Sequence, residues 1–212
     1  MSRSCRPKSS SSRRNLHSTS SSVDDGRLQR AVREILLAIG EDPDRSDLEL
    51  TPARVAASYS EFVAGRDVDP GQFLTGSVAA GNESGELVAL RDISFRSLCE
   101  HHLLPFHGVA HIAYKPRDRV IGLSSLPKVV ETIASRLQLQ ERLGEQIAQA
   151  IQDGLDPLGV LVILEATHGC VTDRGVRQRD ARTVTLASRG ELAGASQRAD
   201  AMALLSIGSA RP

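Results

Sequence analysis

Two short stretches limit the folds open to this chain more than any other feature. "SLCEHHLLPFHG" (97–108) places Cys99, Glu100, His101 and His102 side by side, and "EATHGC" (165–170) carries His168 and Cys170. Each follows a run that reads as a strand, so both sets of ligand-type side chains stand at strand ends. The whole chain of 212 residues has only three cysteines and six histidines. A fold that brings the two strand ends together creates a metal site; one that does not leaves Cys170 as a small buried hydrophobe.

Cys99 and His102 stand in a C-x-x-H arrangement, which converges on one ion if the chain turns tightly there. Cys170 adds a second thiolate from far downstream. Thiolate and imidazole suit Zn²⁺, at about 2.3 Å and 2.0–2.1 Å respectively. Three protein ligands leave one tetrahedral position open, the arrangement of a catalytic zinc whose bound water has its pKa lowered to about 7. C-x-x-H alone is weak evidence. His107 and His111 share one strand face and stay open as alternative ligands, although half-exposed strand histidines are usually surface residues.

Bulk properties exclude several function classes. Hydrophobic residues make up 40% and charged residues 25%, with a formal net charge of zero, the profile of a globular domain. Zero net charge removes any bulk electrostatic case for a nucleic-acid or membrane partner. Aromatics are 3% with no tryptophan, which disfavours base stacking. No apolar run nears the roughly 20 residues that span a bilayer. An odd cysteine count without framework spacing argues against a disulfide scaffold and for a reducing, cytoplasmic setting.

Residues 1–24 are rich in serine and arginine and read as a disordered tail, with the composition of a transit peptide as an alternative. A folded domain is expected over 25–212. Leu28, Val32, Ile35 and Leu36 recur at helical spacing from Arg27. "TPARVAASYSEFVAG" reads as a second helix, with Thr51 as N-cap, Pro52 at the first helical position and Gly65 closing it, so N-terminal helices span 27–65. Residues 67–84 read as a loop. A core over about 85–190 follows: strands "ELVALRDISF" and "GVAHIAYKP", helices "SSLPKVVETIASRL" and "QERLGEQIAQAIQDGL", then strands "GVLVILEATHGC" and "ARTVTLA". Val129, Val130 and Ile133 mark the buried side of the first core helix, and Leu143, Ile147 and Ile151 that of the second. A short C-terminal helix is expected over about 196–206. The fold class is α+β with core order ββααββ and no G-x-G-x-x-G or P-loop signature.

"TPARVAASY", "CEHHLLPFHGVAHIAYKP", "VIGLSSL", "LQLQERL" and "ATHGCVTDRGV", in that order, resemble the GTP cyclohydrolase I family over residues 27 to about 205. The resemblance implies a tunnelling fold, an antiparallel sheet with two antiparallel helices. It also implies a toroidal homo-oligomer, a decamer built as a dimer of pentamers, with active sites at subunit interfaces. The implied enzyme is a hydrolase of cyclic amidine C–N bonds. It converts GTP to 7,8-dihydroneopterin triphosphate with release of formate, on the way to tetrahydrofolate, another pterin or a deazapurine. Water activated by zinc attacks purine C8, and no redox cofactor is needed.

Residue by residue, the resemblance assigns Cys99, His102 and Cys170 to zinc. It gives His101 the protonation of purine N7 and His168 a second acid–base role near the ribose, beside Ser124. Glu141 accepts hydrogen bonds from guanine N1–H and its amino group, which explains purine choice, with Gln140 in support. Arg174 and Arg54 grip phosphate oxygens. The family usually reads G-L-S-K-L-x-R where this chain has Gly122-Leu123-Ser124-Ser125-Leu126-Pro127-Lys128. A cation is lost at Ser125, and a bidentate donor has become a point charge at Lys128. Two other readings follow: a non-catalytic zinc-containing homologue that binds purine nucleotide as sensor or scaffold, and a reductase using Cys99 as nucleophile.

Overall fold

A computed structural model describes residues 23–81 and 86–206. The expected Ser/Arg-rich tail falls almost wholly outside them, and Cys5 with it. The first helix, α1 (Asp25–Ala38), starts two residues before Arg27 because Asp24 caps it, its carboxylate accepting from Arg27 N at 2.8 Å. Val32 and Leu36 form its buried stripe, while Ile35 is exposed.

Helix α2 (Thr51–Phe62) packs on α1. Thr51 is not its N-cap. The chain is already turning before Thr51, whose N–H bonds to Leu48 O at 2.9 Å. Leu50 therefore occupies the cap position in helical backbone and no side chain caps. Gly65 does not close the helix by a left-handed turn either. A Cβ there would stand 1.9 Å from Thr132 O, so glycine is needed for close approach to the following helical layer. The stretch expected as a loop over 67–84 contains a 3-10 turn, Pro70–Leu74, and strand β1 (Val78–Ala79); 82–85 lie outside the described residues.

The core follows the expected order. Strands β2 (Val88–Cys99) and β3 (Pro105–Lys115) form an antiparallel pair with a bulge between Leu90 and Ile93. The minor strand β4 (Arg119–Val120) pairs with β1. Helix α3 (Ser125–Ala134) and helix α4 (Gln140–Leu155) flank the minor strand β5 (Leu137–Gln138). Strand β6 (Gly159–His168) runs into the one-turn helix α5 (Gly169–Thr172), and β7 (Thr183–Gly190) leads to α6 (Ala195–Ser206). The main sheet has the order β5-β2-β3-β6-β7, antiparallel except where β5 pairs with β2.

Strand alternation divides the core between the two faces of the sheet. Val160, Val162 and Leu164 of β6 face α3 and α4, packing with the fully buried Val129, Val130, Ile133, Leu143, Ile147 and Ile151. Leu161 and Ile163 point the other way, against Ala201 and Leu205 of α6. A strand buried on both faces needs an unbroken apolar run, and "GVLVIL" supplies it.

Candidate metal centre and active site

Register brings the two diagnostic stretches together. Leu98 of β2 pairs with Pro105 of β3, and Phe106 of β3 pairs with His168 of β6. The end of β2 and the end of β6 therefore flank the start of β3. Cys99 is the last residue of β2, and Cys170 lies in α5 just past β6. Between Cys99 and Leu104 the chain reverses: Cys99 O accepts from Leu103 N at 2.8 Å, and Leu104 O accepts from Cys99 N at 2.9 Å. Leu103 adopts φ +51° to complete the reversal, a left-handed conformation that costs a side-chain-bearing residue about 1–2 kcal/mol.

This turn presents His102 to the thiols. One ligand atom each of Cys99, His102 and Cys170 lies within 4.8 Å of the other two. Ligands held about 2.0–2.3 Å from one ion stand roughly 3.5–4 Å apart, so the spacing has the scale of a shared centre. Two thiols and one imidazole form a donor set suited to zinc, and three ligands leave a position open. His107 and His111 do not join them. His107 is exposed on β3, and His111 Nδ1 accepts from the bulged Asp92 N at 3.2 Å. Burial and the neighbouring Cys99 thiol raise the Cys170 pKa, and the Arg174 guanidinium opposes them. Metal binding reverses that balance by releasing the thiol protons.

A second group surrounds the cluster. The His168 ring stacks on Phe106, centroids 4.6 Å apart and planes 3° from parallel. Its Nε2 lies 2.7 Å from Gln140 Oε1. Burial lowers its pKa, while the Glu141 carboxylate, in the first turn of α4, pulls it up. Gln140 is 1% exposed. His101 sits edge-on to His102 at 6.3 Å and is close enough to help hold the Glu100 carboxyl low, after the larger effect of its hydrogen bond to Arg142.

Sequence reasoning missed Arg142 and Phe106. Arg142 forms an ion pair with Glu100, inside the ligand turn, and donates to Gln138 Oε1 at 3.1 Å and Leu137 O at 3.1 Å. Glu100 N also donates to Gln138 O at 3.1 Å. The ligand turn is thus fastened to β5 and the start of α4. The signal was present in "CEHH" and "QERL" as one opposite-charge pair, but charged pairs are too common in sequence to single it out.

Other expected site residues are not gathered here. Ser124, Ser125 and Lys128 lie at the start of α3, and the metal cluster lies beyond its other end, past β5. Lys128 Nζ stands 6.0 Å from the Phe73 ring centre. Among the described residues, no hydrogen bond or ion pair joins these three to the cluster. Arg54 is exposed on α2, which touches the ligand turn through Tyr59 Oη donating to Leu103 O at 3.5 Å.

The fold and cluster define an α+β protein with a Cys–His–Cys group at one end of its sheet that could hold a metal ion. The sequence profile of the family described as GTP cyclohydrolase I matches residues 28–206, and the chain belongs to that family. GTP cyclohydrolase 1 of Leifsonia xyli subsp. xyli is 54% identical over 187 residues, covering 88% of this chain and 98% of the relative. GTP cyclohydrolase 1 of Carboxydothermus hydrogenoformans is 52% identical over 185 residues, 86% and 95% of the two chains. That of Bacillus subtilis is 50% identical over 169 residues, 79% and 88%. The crystal structure of the archaeosine synthase QueF-Like in the apo form overlaps 50% of this chain at 20% identity and a TM-score of 0.43, a likeness too slight to carry any part of the assignment.

Proposed function

We propose that the protein hydrolyses GTP to 7,8-dihydroneopterin triphosphate and formate, as a zinc-dependent GTP cyclohydrolase I. The observation that carries this reading is the meeting of Cys99, His102 and Cys170 in a chain of that family. Zinc held there supplies a Lewis acid and a water acidic enough to ionise near neutral pH.

The chain's own groups divide the remaining work. His101 gives a proton to purine N7, making C8 electrophilic, and His168 moves a second proton nearer the ribose. Imidazole is the side chain suited to giving and taking a proton near neutral pH. Glu141 accepts from guanine N1–H and the exocyclic amine. Adenine offers no such donor pair and would leave the carboxylate unpaired, at a cost of about 1–3 kcal/mol or more for a charged group. Arg174 and Arg54 bind the triphosphate by charge-assisted hydrogen bonds.

Ser124, Ser125 and Lys128 reach a substrate only if another copy brings its α3 start to this cluster. Their separation within one chain supports an assembly with composite sites, and we propose a tunnelling-fold toroid, a decamer of two pentamers. The exposed edge of β7, with Val184 63% and Leu186 40% exposed, supports strand pairing between copies. The free thiols Cys99 and Cys170 favour a reducing, cytoplasmic setting.

Purified protein supplied with GTP and zinc should release formate and yield a fluorescent pterin after oxidation and dephosphorylation. The absence of both products would overturn the assignment. Tight GTP binding in calorimetry without turnover would instead identify a nucleotide-binding homologue, the reading favoured by the serine at position 125.

A further inference from the structure

Gln140 is one of the few polar side chains sealed inside this protein, at 1% exposure. It opens α4 beside the last half of β6 and the start of β7. Its Nε2 is 3.1 Å from Leu164 O, 2.9 Å from Thr183 O and 3.2 Å from Thr185 Oγ1. Two of those partners are carbonyl oxygens, which only accept. Turning the amide over would set Oε1 against both, so the nitrogen must face the strands and Oε1 must face His168.

That orientation decides where the His168 proton lies. An amide oxygen accepts and cannot donate, so at 2.7 Å His168 Nε2 must carry the hydrogen. In the neutral ring Nδ1 then holds the lone pair, and it has no partner among the described residues. Phe106 fixes the ring plane by stacking. Four elements therefore hold one imidazole: β3 through Phe106, α4 through Gln140, and β6 and β7 through the oxygens that hold Gln140.

We propose that Gln140 is a positioning residue, whose buried amide locks His168 with its proton on Nε2 and leaves Nδ1 as the ring nitrogen that exchanges a proton with substrate. During the reaction an Nδ1–H bond forms as a substrate heteroatom loses its proton. The same proton returns at a later step, and the ring ends unchanged. Gln140, committed at both ends of its amide, acts on substrate only through His168. This inference rests on the acid–base role given to His168 under the proposed function.

The test is a double-mutant cycle with GTP as substrate and zinc content measured for every variant. Gln140→Met keeps the length of the side chain and removes both hydrogen-bonding ends. It should lower kcat about 10- to 100-fold, part of the 10²–10⁴-fold a positioned acid–base group contributes, with KM within about twofold. Added to His168→Gln, it should lower the residual kcat no further. An equal loss in both backgrounds, or a raised KM at unchanged kcat, would overturn the proposal. A second measurement needs neither turnover nor a change at Gln140. Solid-state ¹⁵N spectra of histidine-labelled full-length protein at pH 8, with His168→Gln to assign the resonance, should show the proton on Nε2. A proton on Nδ1 would overturn the proposal even if Gln140→Met fails to fold. If the wild type turns over no GTP, the functional reading falls alone, because the spectrum still decides the lock.

Discussion

Buried polar side chains gather where β2 and β6 end; where these strands begin, the interior is apolar. Ser97, Ser135, Gln138 and Gln140 are all buried at the first end. The side chains of three have partners: Ser97 Oγ donates to Ala134 O at 2.6 Å, Gln138 Nε2 to Ile133 O at 3.0 Å, and Gln140 Nε2 to Thr183 O at 2.9 Å. At the second end Ala113, Val160, Leu161 and Leu192 fill the interior, and the polar contact of Tyr114 is one hydrogen bond accepted from Ile121 N at 3.2 Å. Buried polar groups are costly unless satisfied. Hydrogen bonds at this end tie the side chains to particular partners, and the Cys99, His102 and Cys170 group lies beside them. The apolar end needs only volume and shape. The start of α3 is different again: Ser124 and Leu123 are exposed, while Leu126 in its first turn is buried in the core.

The sharpest way to break this contrast is to cut one residue in the cluster and one at the start of α3. Cys170→Ser should lose zinc and more than about 100-fold in turnover, beyond the 10–100-fold that groups around a metal's ligands typically contribute. Lys128→Ala should keep its zinc and raise KM for GTP about tenfold, the scale of one charge-assisted contact. Metal analysis and steady-state kinetics on the pair decide it. Retained zinc in the first variant, or lost zinc in the second, would erase the division of labour.

Arg142→Met tests whether the fastening of the ligand turn matters to the metal. Zinc affinity should fall about tenfold, with turnover recovered in excess zinc; competition with a chelating dye reads it. Unchanged affinity would make the Glu100 pair a surface ornament.

At the apolar end the expected effect is on stability. Tyr114→Phe leaves the buried Ile121 N–H unpaired, at a cost of about 1–3 kcal/mol. A chain of this length loses roughly 2–4 °C in Tm per kcal/mol. Burial raises the Tyr114 pKa above its ordinary value, against the Ile121 hydrogen bond. The stability it contributes is whole below the unfolded-state pKa near 10 and lost as pH rises through the higher folded value. The variant should flatten the decline in Tm above pH 10, measured by calorimetry without disturbing zinc content.

Arg33→Ala provides the floor. Its guanidinium bonds the Asp44 carboxylate at 2.6 Å with both side chains largely in water. Solvent screening makes such a pair nearly worthless, so Tm should not change measurably.

Helix α4 shows how much of the fold was legible: "QERLGEQIAQAIQDGL" marks its bounds and its buried side, because i, i+4, i+8 spacing is a local property of the chain. The ββααββ order was legible for the same reason. Thr51 shows the limit. Its sequence has a good capping residue, yet the preceding turn already supplies helical backbone, and that depends on how residues 43–50 coil. At the site, C-x-x-H was local and readable, and the family motifs named its partners. Arg142 was not readable, since its meaning comes from Glu100 arriving beside it along another strand.

The sequence alone offered the donor types, thiols and imidazoles at strand ends, because residue type and strand periodicity are written in one dimension; the resemblance to a family picked Cys99, His102 and Cys170 from among them. Only the tertiary structure decided that Gln140 faces inward to His168, and that the start of α3 stands apart from the cluster. Those relations depend on which strand ends lie side by side and on which carbonyl oxygens are left to accept a hydrogen bond. Neither is a property of any single stretch of chain.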